Sequence, residues 1–145
     1  MPGVLDAVKA LLEASESIMA HFDGAPAPRI YSGPAPQGAA SPYITYFEAD
    51  ARTESAMGVD VGVAHSRVQI DVWCADASGL DARGLAQELG REVDFALRRR
   101  RGTFGGVVVQ DVLREDRSDA DWDEATGVHR VRQDFTIHWE EAVPA

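Results

Sequence analysis

Cysteine and long apolar runs are what this 145-residue sequence most clearly lacks. Cys74 is its one cysteine, so no disulfide can form within the chain and a reducing compartment is expected. No apolar run approaches the ~18 residues that cross a bilayer, and the chain starts on an amphipathic pattern. We therefore expect neither a membrane span nor a leader. The length suits one domain, which we expect over residues 1–145.

Positive charge is scarce as well. The chain has 14 lysine and arginine residues against 24 acidic ones, a formal net charge of −10. Tight nucleic-acid binding depends on neutralising phosphates, so a protein wrapped around DNA is not expected. Solubility is the simplest role of this charge. DNA that only passes nearby would be repelled by such a surface and left free to slide.

Motifs of known chemistry are also missing. Cys74 has no histidine beside it, and no serine lies in a G-x-S-x-G elbow. The four histidines lack the spacing that places two ligands on one ion, and the acidic residues do not match a calcium loop. The glycines form neither a Walker A motif nor a dinucleotide fingerprint. We therefore expect no catalytic residues, no metal and no cofactor.

The most regular pattern in the chain is an alternation over Val128–Glu140. Its apolar row is broken once, by Gln133, while charged and hydrogen-bonding residues occupy the other row. The apolar row consists of Val131, Phe135, Ile137 and Trp139. Such alternation predicts a strand with one buried and one wet face. Its thirteen residues make it far longer than the usual ~5–6, and its polar face is left for solvent or another chain.

Helical spacing of apolar residues predicts two helices, over residues 4–22 and 80–100. Shorter alternating runs predict further strands, which are residues 29–31, 42–48, 64–74 and 105–114. We expect an α+β fold: a two-layer sandwich with a mostly antiparallel sheet of four or five strands, two helices packed on one face and the other face open. Residues 50–63 are predicted as a long mobile loop or a loose hairpin, and residues 115–127 as a solvated acidic loop.

Two oppositely charged clusters are candidate interfaces. The positive one consists of Arg98, Arg99, Arg100 and Arg101. These residues either interact with the helix C-terminal dipole, at ~0.3–1 kcal/mol per charge, or dock an acidic neighbour, such as the acidic segment of another copy. The candidate residues of that segment are Asp119, Asp121, Trp122, Asp123 and Glu124. Trp122 either folds back onto the core or meets a partner. A head-to-tail contact between the clusters closes a ring if the rotation fits.

Five short motifs follow one another in a characteristic order. They are Arg29-Ile30-Tyr31, Pro36-Gln37-Gly38-Ala39, Ser41-Pro42-Tyr43-Ile44, HSRVQIDVW at residues 65–73 and RVRQDFTI at residues 130–137. In order and spacing the chain resembles the tail-completion, or tail-terminator, family of long-tailed phages and gene transfer agents. The resemblance covers nearly the whole chain, although its acidic segment is longer than the family leads us to expect.

The resemblance implies a structural protein without catalytic residues. Such proteins form a ring, typically of six copies, which caps the tail tube, stops its polymerisation and docks it to the head connector while DNA passes through. It implies as partners further copies of the chain, the tail tube protein and the head–tail connector protein. It implies a place in the virion or gene-transfer-agent particle, assembled in the bacterial host cytoplasm. The loop at residues 50–63 would then reach the tube or connector, and its candidate contacts are Arg52, Glu54, Met57 and Asp60.

Two other functions stay open from the sequence. One is a small α+β enzyme or ligand-binding domain with a pocket between helices and sheet, which would need a buried polar cluster. The other is an accessory protein that binds a partner through the open sheet face and never forms a ring.

Overall fold

The computed structural model describes residues 2–56, 59–75, 81–123 and 127–140, with the backbone alone at 52–56, 59–61 and 119–123. These residues form three helices: α1 (Val4–Glu13), α2 (Glu16–Ala20) and α3 (Ala82–Leu97). In the part of the chain so described, no helix is both long and apolar enough to cross a membrane.

The single helix predicted over residues 4–22 is wrong, because the chain breaks between α1 and α2. Ser15 adopts an extended conformation and its Oγ accepts a hydrogen bond from Ile18 N at 3.3 Å, which makes it the N-cap of α2. Serine competes for backbone donors in this way and so favours caps over helix interiors. The second predicted helix is also shorter than expected. It is capped by Asp81, whose carboxylate accepts from Gly84 N at 3.0 Å, and it ends at Leu97.

Within the described ranges, six strands form one sheet, in the order β1-β2-β3-β6-β5-β4. They are β1 (Ile30–Ser32), β2 (Tyr43–Ala56), β3 (Val59–Ala75), β4 (Gly102–Phe104), β5 (Val107–Asp123) and β6 (Val128–Glu140). Only β1 and β2 run parallel; the other neighbours are antiparallel. The α+β class and the mostly antiparallel sheet are confirmed, whereas the counts of two helices and four or five strands are wrong. The three residues of β4 are too few to show a period in the sequence.

Both segments for which a loop was predicted are largely strand. Of the two alternatives for residues 50–63, the hairpin is the one formed, with Arg52 opposite His65 and Ala56 opposite Val59. The acidic loop predicted at residues 115–127 is wrong for most of its length, since β5 continues to Asp123, opposite Val128. Strand pairing satisfies main-chain groups whatever the side chains are. Because Glu115 and Asp116 are exposed, this part of β5 shows no apolar alternation.

The core lies between the helices and one face of the sheet. It combines the apolar side of α1, the apolar side of α3 and alternate residues of the central strands, among them Val68, Ile70, Phe135 and Ile137, all fully buried. The polar break in the β6 row is explained by the helix above it. Gln133 is 1% exposed and its Nε2 donates to Gly90 O of α3 at 2.7 Å.

Candidate functional site

The arginine cluster (Arg98, Arg99, Arg100 and Arg101) lies at the C-terminal end of α3, and its first member is tied to a buried carboxylate. Arg98 donates from Nε to Asp94 Oδ1 at 2.9 Å and from Nη2 to Oδ2. Arg114 of β5 donates to the same carboxylate at 3.2 Å, and Asp94 is 5% exposed. The hydrogen bond and negative charge of Asp94 raise the pKa of Arg98. These contacts join the end of α3 to the sheet.

The next two arginines also make contacts within the chain. Arg99 takes a left-handed conformation (φ 62°), donates from its backbone N to Val112 O at 2.8 Å and forms an ion pair with Asp111 at 2.6 Å. Arg100 donates to Ala96 O at 3.0 Å and to Phe95 O at 3.1 Å. Those carbonyls belong to the last turn of α3, which has no helical donors left for them. The predicted helix-end role therefore describes Arg100 well.

Arg101 differs from the other three. It is exposed, and in the described ranges it forms no ion pair. Its charge, together with the exposed sides of the preceding arginines, leaves a positive surface at this end of the molecule. Docking of an acidic neighbour there remains a prediction.

A groove of about 390 Å³ lies beside this cluster, between the α1–α2 connection, α3 and β4. Leu11, Ala96 and Phe104 give it apolar walls, and Arg100 lines it as well. Phe95, which also lines it, is 77% exposed. We call this feature the Phe95 groove. Sequence reasoning missed it, although the position of Phe95 off the apolar stripe of α3 was the signal that could have revealed it.

The predicted acidic partners lie at the far end of β5. Trp122 is opposite His129 of β6, and Val109, near the start of β5, is opposite Trp139. These two partners are ten residues apart along β6, which is roughly 33 Å at ~3.3 Å per residue. One chain therefore cannot bring its own Trp122 to its own arginine cluster. The side chains of Asp119, Asp121, Trp122 and Asp123, and all of Glu124, lie outside the described part of the chain.

Among the described residues, the hairpin of β2 and β3 extends past the rest of the sheet. The last described pair between β3 and β6 is Val63 with Glu140, and in the described residues beyond it β2 and β3 pair only with each other. Four further residues of β3 make this arm roughly 13 Å long. It projects at the end of the sheet where the arginine cluster lies. Met57 falls outside the described residues, and Arg52, Glu54 and Asp60 are described by their backbone only.

The face of the sheet turned away from the core holds a connected aromatic and polar cluster. Trp73 Nε1 donates to Thr45 Oγ1 at 2.9 Å, and the Arg130 guanidinium lies 4.8 Å from the Trp73 ring. Arg130 also donates to Asp71 at 3.1 Å, and Tyr43 stacks on Trp73. Asp71 is only 3% exposed, although it lies on the face turned away from the core. These partners are on separate strands, so only the register reveals them.

Two further pairs lie along the same face. Arg67 of β3 donates to Asp134 of β6 at 3.0 Å. Nearer the arm, the rings of His65 and His138 are stacked with centroids 4.1 Å apart. In the part of the chain that is described, no group of three or more His, Cys, Asp or Glu residues is placed to hold a metal ion.

Cys74 is fully buried in the core. Burial raises the pKa of its thiol to about 12, so the reactive thiolate is disfavoured. Most of the region between helices and sheet, where the ligand-binding alternative requires a pocket, is occupied by the apolar core, and the Phe95 groove lies at its edge.

Comparison with known proteins identifies a matching family and similar solved structures. Residues 6–140 match the family model described as "Tail completion protein gp17". A solved structure described as "Virion of native gene transfer agent (GTA) particle" is similar with a TM-score of 0.70 and 20% identity, over 92% of this chain and 92% of that chain. A second solved structure is similar with a TM-score of 0.55 and 17% identity, over 97% and 98%. No curated protein sequence matches significantly.

Proposed function

Because the chain belongs to the tail completion protein gp17 family, a family of structural proteins of phage-like tails, we propose that it forms a ring that caps the tail tube. The ring ends tube polymerisation and joins the tail to the head connector. We propose six copies per ring, in the tail of a phage or gene-transfer-agent particle assembled in the bacterial cytoplasm. Its partners are other copies, the tail tube protein and the head–tail connector protein.

The observation that carries this proposal is the separation of opposite charges along β5. The arginine cluster lies by the start of the strand, while its last nine residues carry five acids against one arginine, Arg117. Surfaces that complement each other but lie at opposite ends of one subunit cannot satisfy each other within that subunit. They make a heterologous contact between copies, and a heterologous contact closes a ring when its rotation fits.

Two further features suit a ring around DNA. A net charge of −10 lets acidic or neutral groups line the channel, so that passing DNA is not gripped. The arm formed by β2 and β3 projects beyond the sheet and is the element we assign to contact with the tube or connector. On this assignment Arg52, Glu54, Met57 and Asp60 belong to that contact.

Charge reversal at Arg101 tests the proposal with the least disturbance of the fold, because Arg98 and Arg99 pair with Asp94 and Asp111. A reversal that costs about 1 kcal/mol per contact lowers each contact's affinity roughly fivefold. We expect the Arg101→Glu variant to cap purified tail tubes only at a correspondingly higher protein concentration, with capped tube ends counted in negative-stain images.

The matched control is Lys9→Glu, a reversal at an exposed position on α1. It should cap tubes like the unmodified protein. Equal capping by Arg101→Glu would remove Arg101 from the contact. An unmodified protein that neither forms rings nor caps tubes would overturn the proposed function itself.

A further inference from the structure

The Phe95 groove is a partly apolar surface that the fold leaves uncovered. Phe95 is 77% exposed, the highest value among the large apolar residues that are exposed in the described ranges. Exposed aromatic residues beside apolar walls are typical of interaction sites. A volume of about 390 Å³ lies near the lower end of the ~300–1,000 Å³ of sites that hold small molecules. One large side chain fits such a space.

Charge at the edge of the groove restricts what enters it. Arg100 and Glu92 both line it, but the Glu92 carboxylate is paired with His21 at 2.8 Å, and Arg101 follows Arg100 in sequence as an exposed cation. A segment that combines an aromatic residue with acidic neighbours complements an apolar groove with a positive edge. The chain itself contains such a segment, Asp121-Trp122-Asp123-Glu124. Tryptophan is also the residue type most enriched among interface anchors.

The position of that segment determines which copy supplies it. β4 forms a wall of the groove through Phe104, which pairs with Val107 at the start of β5. Trp122 lies at the other end of that strand, with roughly 33 Å between it and Val109. No side chain spans such a distance, so this aromatic segment reaches a groove only on another copy.

We infer that the Phe95 groove receives Trp122 of a neighbouring copy, with the acidic end of that copy's β5 beside Arg101. The inference rests on the proposed ring and adds the apolar anchor of its subunit contact. Charged side chains at the rim steer the encounter, whereas the buried aromatic residue slows dissociation. Each copy offers one groove and one anchor, so the contact runs head to tail.

Disulfide trapping tests the pairing directly. A chain carrying both Phe95→Cys and Trp122→Cys is mixed with tail tubes and oxidised mildly. We expect a ladder of covalent oligomers on a non-reducing gel, because each copy then bonds to the next. Cys74 does not compete, since it is buried. The control chain carries Phe47→Cys with Trp122→Cys. Phe47 is 39% exposed, and its strand partner Gln69 points away from the core. This control should give no ladder.

A second variant keeps the test decisive if Trp122→Cys disturbs the fold. Phe95→Ala alters an exposed side chain, so its melting temperature should match that of the unmodified protein. We expect this variant to cap tubes only at a roughly thirtyfold higher protein concentration, which is the effect of losing an interface anchor. Phe47→Ala should cap normally.

The outcomes separate the two proposals. Rings and caps formed normally by Phe95→Ala, or a ladder equally strong in the control chain, overturn the inference and leave the proposed function standing. Absence of rings and caps in the unmodified protein overturns both.

Discussion

Burial of a single thiol gives the chain a pH dependence that can be measured. Cys74 is fully buried on β3, and burial raises its pKa from 9.0 to about 12. Between these values the unfolded chain has lost the thiol proton while the folded chain keeps it. The free energy of unfolding therefore falls as pH rises from 9 towards 12. Below pH 9 the thiol is protonated in both states, and its contribution to stability is fully present.

We predict that Cys74→Ala loses less stability than the unmodified protein between pH 8 and pH 10. At pH 10 the difference should be about 1 kcal/mol, since one pKa unit corresponds to about 1.4 kcal/mol. Urea unfolding of both proteins at each pH measures it. Burial also raises the pKa of Tyr46, but that tyrosine is common to both proteins and cancels. Parallel pH profiles would mean that the thiol titrates alike in the folded and unfolded chains.

At the scale of elements, α3 is seated on the sheet by a close approach at Gly90. A Cβ atom there would lie 2.8 Å from Val131 Cγ1 and 3.4 Å from Arg117 Nη2. At the same place, Gln133 of β6 donates a hydrogen bond to Gly90 O. Arg117 of β5 donates another to Gln87 O, one turn earlier in the helix. The sheet thus contacts this helix through its backbone as well as through apolar side chains.

Gly90→Ala is therefore predicted to destabilise the protein although alanine favours helices. Helix propensity gains ~1 kcal/mol, while overpacking costs ~1–3 kcal/mol. We expect a net loss of about 1 kcal/mol in chemical denaturation. Val131→Ala removes the atom that the new Cβ meets, so in that background Gly90→Ala should cost less or stabilise. An equal cost in both backgrounds would locate the strain elsewhere.

The elements also show where sequence reasoning succeeds. The bounds of β6 were predicted correctly because one face of that strand is buried and the other wet, which produces a clean alternation. The far half of β5 has no apolar row, so its strand character depends on backbone pairing with β6, which the sequence does not display. The break at Ser15 was missed because the apolar stripe continues from α1 into α2.

The candidate site was predictable in part for a related reason. Four consecutive arginines are visible in any reading of the chain, but the pairing of Arg99 with Asp111 depends on how α3 meets β5. The exposure of Phe95 depends on which side of α3 the other helices leave uncovered. Local patterns identify charge and periodicity, whereas contacts between distant segments follow from the packing.

At the scale of the whole molecule, the inferred contact predicts how variants mix. In a head-to-tail assembly each copy uses its groove for one neighbour and its Trp122 for the other. Phe95→Ala damages the groove and keeps the anchor, whereas Trp122→Ala keeps the groove and loses the anchor. In neither variant alone can an intact groove meet an intact Trp122. Both should therefore remain monomers under conditions where the unmodified protein forms rings.

An equimolar mixture of the two variants should form dimers and stop there. The anchor of the Phe95→Ala copy enters the intact groove of the Trp122→Ala copy, and the two surfaces left over cannot recruit a third chain. Light-scattering mass measures this, with tail tubes added if the unmodified protein needs them to assemble. A mixture that stays monomeric would mean that Phe95 and Trp122 are not partners. Rings from the mixture would mean that copies meet through another surface, since a broken head-to-tail chain cannot close.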